Sequence, residues 1–99
     1  MKIHPYLNSN KKLAIAHRGG ISRYPENTME AFQEAIDLGY KYLETDIQVT
    51  SDHKLVIFHD DKLNRLTNVS GKLKDRSWDE IKHTKINEKY SIPMLSELI

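Results

Sequence analysis

Three stretches of the sequence predict an α/β fold. "KLAIAH" at residues 12–17 is apolar, strand-like and ends on a histidine. "TMEAFQEAIDL" at 28–38 follows as an amphipathic stretch, and "YKYLETDIQV" at 40–49 then reads as a second strand. Strand, helix, strand within about 40 residues is a βαβ unit, which sets its two strands parallel and adjacent. Both strands then deliver their ends, at His17 and near Asp46, to the same side of the sheet.

Each element has local support. Residues 1–11 are a polar lead-in, and "SRYPEN" at 22–27 is a loop. Asn27 is the expected N-cap of the helix, with Glu30 three residues on as in a capping box. Met29, Phe32, Ala35 and Ile36 fall on one face at helical spacing, and Gly39 suits the C′ position that ends a helix. After the second strand, "TSDHK" at 50–54 is a turn cluster and "LVIFHD" at 55–60 a third strand. So short a link suits a hairpin and not a parallel crossover. A turn centred on Asp52 and His53 puts Asp46 opposite His59. It also asks a positive φ of His53, which histidine tolerates better than most residues.

Residues 60–90 are polar and weakly patterned, which predicts loop with short irregular pieces. Within them "SWDEIKHT" at 77–84 predicts a short helix with Ser77 as N-cap and Glu80 at N3. "SIPMLSELI" at 91–99 predicts the first turns of another helix, with Pro93 near its start.

Composition narrows the function. Fifteen basic side chains face 14 acidic ones, spread evenly along the chain, without the basic excess of a nucleic-acid module. There are no cysteines, which excludes a disulfide framework, a thiolate zinc site and a cysteine nucleophile. No apolar run approaches the roughly 20 residues of a transmembrane helix. The start lacks the apolar core of a signal peptide, so the expected location is the cytoplasm. The 99 residues make at most one domain.

One constellation carries chemistry. His17 and Arg18 end the first strand. Glu44 and Asp46, two apart on the second, point to one face about 7 Å apart. His59 returns on the hairpin. Each residue alone has a plainer reading: a strand-end histidine, a surface arginine, a solvated strand face. Asp52, His53 and Asp60 read as turn residues. The shared rim is what distinguishes the set. Two carboxylates supply oxygen ligands for a hard cation, Mg²⁺ or Ca²⁺. Arg18 can clamp phosphate oxygens in its fork. Two histidines can exchange a proton, one taking and one giving. Together these residues permit phosphoester cleavage.

The same residues resemble the glycerophosphodiester phosphodiesterase family. The matching pieces are "AHRGG", "YPENTMEAFQEAIDLG", "LETDIQVTSDHKLVIFHD", "LNRLTNVSGKLKD" and "IPMLSELI", in order and at family spacing. The resemblance implies the N-terminal portion of a TIM (β/α)8 barrel. Residues 13–47 would be a barrel strand–helix–strand segment. Residues 48–91 would be the hairpin and a small inserted subdomain, and 92–99 the start of the next barrel helix. It implies His17 and His59 as the acid/base pair, Arg18 as the phosphate clamp, and Glu44 and Asp46 as ligands of Ca²⁺ or Mg²⁺. The implied reaction is hydrolysis of a glycerophosphodiester to glycerol 3-phosphate and an alcohol. The family's third metal carboxylate and its phosphate-contacting lysine lie on later strands, so the 99-residue chain alone is expected to be inactive or very weak. Its exposed strand edges predict self-association. The sequence departs from the family at His53, where glycine is usual, and at Leu66, where a threonine is usual. Two other readings share these features: a non-catalytic phosphate-binding or interaction module, and a phospholipase of the sphingomyelinase D type.

Overall fold

The computed structural model describes residues 15–16 and 23–99. His17 and Arg18 therefore lie outside the described residues. Strand β1 (Ile15–Ala16) pairs in parallel with β2 (Tyr42–Leu43), Ile15 beside Tyr42 and Ala16 beside Leu43. Helix α1 (Met29–Asp37) makes the crossover between them, as a βαβ unit requires.

The start of α1 differs from the expectation by one residue. Thr28 is the N-cap, and its hydroxyl accepts from the Ala31 N–H at 3.2 Å. It also donates to the Pro25 carbonyl at 2.9 Å. Thr28 has the extended backbone of an N-cap, whereas Asn27 sits in the left-handed region at φ 57°. The Asn27 side chain is also committed elsewhere. At the other end Gly39 takes φ 93°. Its N–H bonds to the Ile36 carbonyl at 3.0 Å and that of Tyr40 to Ala35 at 3.1 Å, the paired closure of a Schellman ending. The buried stripe of α1 includes Ala31, Phe32 and Ala35, and Ile36, expected in the core, is exposed. Glu34 is buried instead, and Arg23 covers it with bonds of 3.0 and 2.8 Å to one carboxylate oxygen.

The second predicted strand is two strands. After β2 the chain leaves regular structure at residues 44–46, then forms β3 (Ile47–Val49), antiparallel to β4 (Leu55–Ile57). The break lies where parallel pairing with β1 gives way to antiparallel pairing with β4. The alternation placing Glu44 and Asp46 on one strand face therefore does not run through them.

Hairpin register also departs from the expectation. Ile47 faces Ile57 and Val49 faces Leu55, and the Asp46 carbonyl accepts from the Phe58 N–H at 3.0 Å. Asp46 thus faces Phe58, not His59. The cause is a turn of three residues rather than two. Thr50 donates its N–H to the Lys54 carbonyl, and the His53 N–H bonds back to the Thr50 carbonyl, both at 3.0 Å. His53 has φ 64°, the left-handed residue that closes such a three-residue loop.

β4 is the shared element of two apolar clusters. Val56 and Phe58 join Leu63, Leu73, Ile81, Ile86 and Ile92. Ile57, pointing the other way as strand periodicity demands, joins Phe32, Ala35, Leu43 and Leu98. Its free edge is taken by residues 93–94: the Ile57 N–H bonds to the Pro93 carbonyl at 2.9 Å, and Val56 forms a bridge with Met94.

Residues 60–91 wrap the first cluster with short pieces. Among them are a 3-10 turn (Leu73–Asp75) and helix α2 (Trp78–Lys82). The predicted capping box is present: the Ser77 hydroxyl accepts from the Glu80 N–H, and the Glu80 carboxylate accepts from the Ser77 N–H. An unanticipated hairpin follows, β5 (Lys85–Ile86) with β6 (Tyr90–Ser91). Asn87 and Glu88 turn it with φ 50° and 63°, both in the left-handed region, and the Lys89 N–H bonds back to the Ile86 carbonyl at 3.1 Å. Helix α3 (Leu95–Leu98) then begins after Met94, whose N–H the Glu97 carboxylate accepts at 2.9 Å.

Candidate active site

The loop before α1, the break after β2 and the turn after β4 contribute the polar residues that meet here. Asn27 is almost fully buried, at 1% exposure. Its amide donates to an Asp46 carboxylate oxygen at 3.2 Å, and its carbonyl accepts from the Thr45 hydroxyl at 3.2 Å. A buried amide must satisfy both its donor and its acceptor, and here doing so fixes the irregular segment around Asp46. Asp46 is half-buried, whereas Glu44 is exposed.

His59 follows β4. Its Nδ1 lies 2.6 Å from a carboxylate oxygen of Asp60, and its backbone carbonyl accepts from the Gln48 side-chain amide at 3.1 Å. Asp60 in turn holds Arg65, whose Nε and Nη2 reach the two Asp60 oxygens at 2.7 and 3.0 Å. The same guanidinium donates from Nη1 and Nη2 to the two oxygens of Glu26 at 3.1 and 2.9 Å. Forked, charge-assisted pairs of this kind set geometry as well as energy. Arg65, and then His59, hold the Asp60 carboxyl at about 2, well below its ordinary 3.8. Asp60 and Glu26 together raise the Arg65 value further above its already high range.

Of the residues singled out in the sequence, the structure orients Asp46 through Asn27 and His59 through Asp60. Among the described residues, no three histidine or carboxylate side chains gather as a metal cluster. Glu44 and Asp46 offer the oxygen donors that suit a hard divalent cation, which takes six to eight ligands as Ca²⁺. Their chemistry suits such an ion. Sequence reasoning missed Glu26 and Arg65, and gave Asn27 and Asp60 only local roles as cap and turn residue. Asp60 carried a signal, a carboxylate directly beside the candidate His59; Asn27 carried only its propensity for a cap. The Arg65–Glu26 contact spans 39 residues of sequence and left none.

The profile of the glycerophosphoryl diester phosphodiesterase family matches residues 17–99. A glycerophosphodiester phosphodiesterase of Bacillus altitudinis is 41% identical over 92 residues, covering 86% of this chain and 38% of the relative. One from Caldanaerobacter subterraneus is 43% identical over 95 residues, with coverages of 89% and 39%. A phosphodiesterase of Oleispira antarctica, solved in complex with the product sn-glycerol-3-phosphate, superposes with a TM-score of 0.84. It is 35% identical, and the match covers 92% of this chain and 40% of that one. The chain thus spans about two fifths of the length of these relatives.

Proposed function

Because the chain belongs to the glycerophosphoryl diester phosphodiesterase family, we propose that it forms one wall of a site that hydrolyses glycerophosphodiesters to glycerol 3-phosphate and an alcohol. The observation that carries this reading is the 0.84 superposition on a phosphodiesterase holding sn-glycerol-3-phosphate, the product such a cleavage leaves. Residues 13–47 are then a segment of a TIM barrel, 48–91 its hairpin and inserted subdomain, and 92–99 the opening of the next barrel helix. Barrel sites lie at the C-terminal ends of the strands. His17 follows β1 and Glu44 follows β2 there, while His59 follows β4 of the hairpin.

His59 and His17 would share the proton work. One takes a proton from the water that attacks phosphorus, and the other gives one to the alkoxide that leaves as the P–O bond breaks. Arg18 would grip two phosphate oxygens in its fork. Glu44 and Asp46 would hold Ca²⁺ or Mg²⁺, which when bound neutralises charge on the phosphate. Asn27 would keep the Asp46 carboxylate turned to that task. With two carboxylates the ion is held loosely, so the 99-residue chain alone turns over little or no substrate.

A hybrid enzyme tests the reading. This chain replaces the matched 92-residue segment of the Bacillus altitudinis relative, and release of glycerol 3-phosphate from glycerophosphocholine is followed with Ca²⁺ or Mg²⁺. Turnover is expected, and His59→Asn should lower it by about 10²- to 10⁴-fold. Binding of glycerol phosphate without turnover, in a folded hybrid, would refute hydrolysis and leave a phosphate-binding module.

The isolated chain is also proposed to self-associate. Ile47, Val49 and Leu55 lie on one face of the β3–β4 ribbon and are 49%, 43% and 46% exposed. Sedimentation velocity should show mass rising with concentration, and a monomer throughout would reject it.

A further inference from the structure

Arg65 lies outside the set of side chains given a role in hydrolysis. It comes from the inserted segment, five residues beyond Asp60, and reaches back to the loop before α1. Four of its five N–H groups are engaged, one from Nε, one from Nη1 and both from Nη2. Two go to Asp60 and two to Glu26. Its own backbone is pinned on both sides, since Leu63 is fully buried and Leu66 packs on the same cluster. The Thr67 N–H and hydroxyl both bond to the Leu63 carbonyl, at 3.1 and 2.8 Å, closing the turn that carries Arg65.

We propose that Arg65 is a positioning residue that fixes the proton of the His59 ring on Nδ1. An ionised carboxylate only accepts, so the 2.6 Å contact from Nδ1 to Asp60 places the ring proton there. Nε2 is left as the acceptor of the neutral ring. Asp60 alone could not hold that arrangement. It neighbours His59 in the chain, is partly exposed, and is free to rotate about its own bonds. Arg65 removes that freedom by gripping both Asp60 oxygens, one of which is the oxygen that faces Nδ1. Glu26 anchors the far side of the guanidinium. Glu26 also directly precedes Asn27, which holds Asp46. One arginine therefore ties the inserted segment to the loops behind both His59 and Asp46. This role rests on the acid/base reading of His59, but it is tested without turnover.

The test is ¹⁵N-imidazole NMR of the 99-residue chain at a pH where histidine is neutral. His83 is an internal control: its Nδ1 lies 2.7 Å from the Asp79 carbonyl, which also only accepts. In the wild type both rings should carry their proton on Nδ1. In Arg65→Met the His59 ring should fall to about half Nδ1–H or less, with His83 unchanged. Arg65→Lys, which keeps the charge but loses the fork, should fall between. If Arg65→Met unfolds, shown by loss of the His83 signature, Glu26→Gln decides, and a mixed His59 tautomer is expected. A His59 ring that stays wholly Nδ1–H in a folded Arg65→Met chain, or in Glu26→Gln where Arg65→Met unfolds, overturns the proposal. A tautomer shift alongside a hybrid that hydrolyses nothing supports the positioning role while refuting the acid/base reading.

Discussion

Asp60 illustrates how a residue that reads as part of a turn comes to carry weight. Its carboxyl is held at about 2 by Arg65 and His59, while an unfolded chain would return it to the ordinary 3.8. The folded value is the lower, so the unfolded state binds the proton more readily. The stabilisation is therefore complete above about pH 4 and drains away as pH falls towards 2. Urea midpoints measured from pH 5 to pH 2 should decline through that window, and Arg65→Met should flatten the decline. Asp60 was visible in the sequence only as the neighbour of a histidine. Its partner arginine was five residues on and Glu26 far upstream, and no local pattern joins them. Asn27 was misread for a related reason. Asparagine is a good cap by propensity, but a buried amide follows its hydrogen-bond partners, and those lie on residues 45 and 46.

At the level of elements, local chemistry was legible and pairing was not. The α2 capping box and the glycine ending of α1 were both readable, because each is settled within a few residues. The hairpin at 50–54 was readable too, with its positive φ at His53. Its register was not, because two- and three-residue turns differ by one position, and that position decides whether His59 or Phe58 faces Asp46. The single strand expected at 40–49 failed because its two ends pair with different neighbours, β1 and β4. The turn itself offers a test. His53 pays a steric penalty at φ 64° that glycine avoids, offset in part by the greater entropy glycine loses on folding. His53→Gly should therefore stabilise the chain by up to about 1 kcal/mol, read as a higher urea midpoint at unchanged slope. An unchanged or lower midpoint would show that the turn bears no strain.

Across the whole molecule, the α/β class and the strand–helix–strand order of the first half were present in the periodicities, and the family was present in the motifs. The two-cluster core was not, because it depends on β4 being buried on both faces. The run Val56–Ile57–Phe58 looks in sequence like any apolar strand, yet the three side chains are 0%, 0% and 1% exposed, shared between clusters that, among the described residues, have no other strand in common. A strand owned by two cores makes them a single cooperative unit. The βαβ side cannot melt while the side built from residues 60–92 stays intact, since each would strip one face of the same three residues. Calorimetry should show one transition, with amide exchange slowest at residues 56–58. Ile57→Ala, costing about 2–5 kcal/mol, should lower that single transition without splitting it in two. A lobe built of short pieces would ordinarily be expected to loosen first; here it can come away only with the rest.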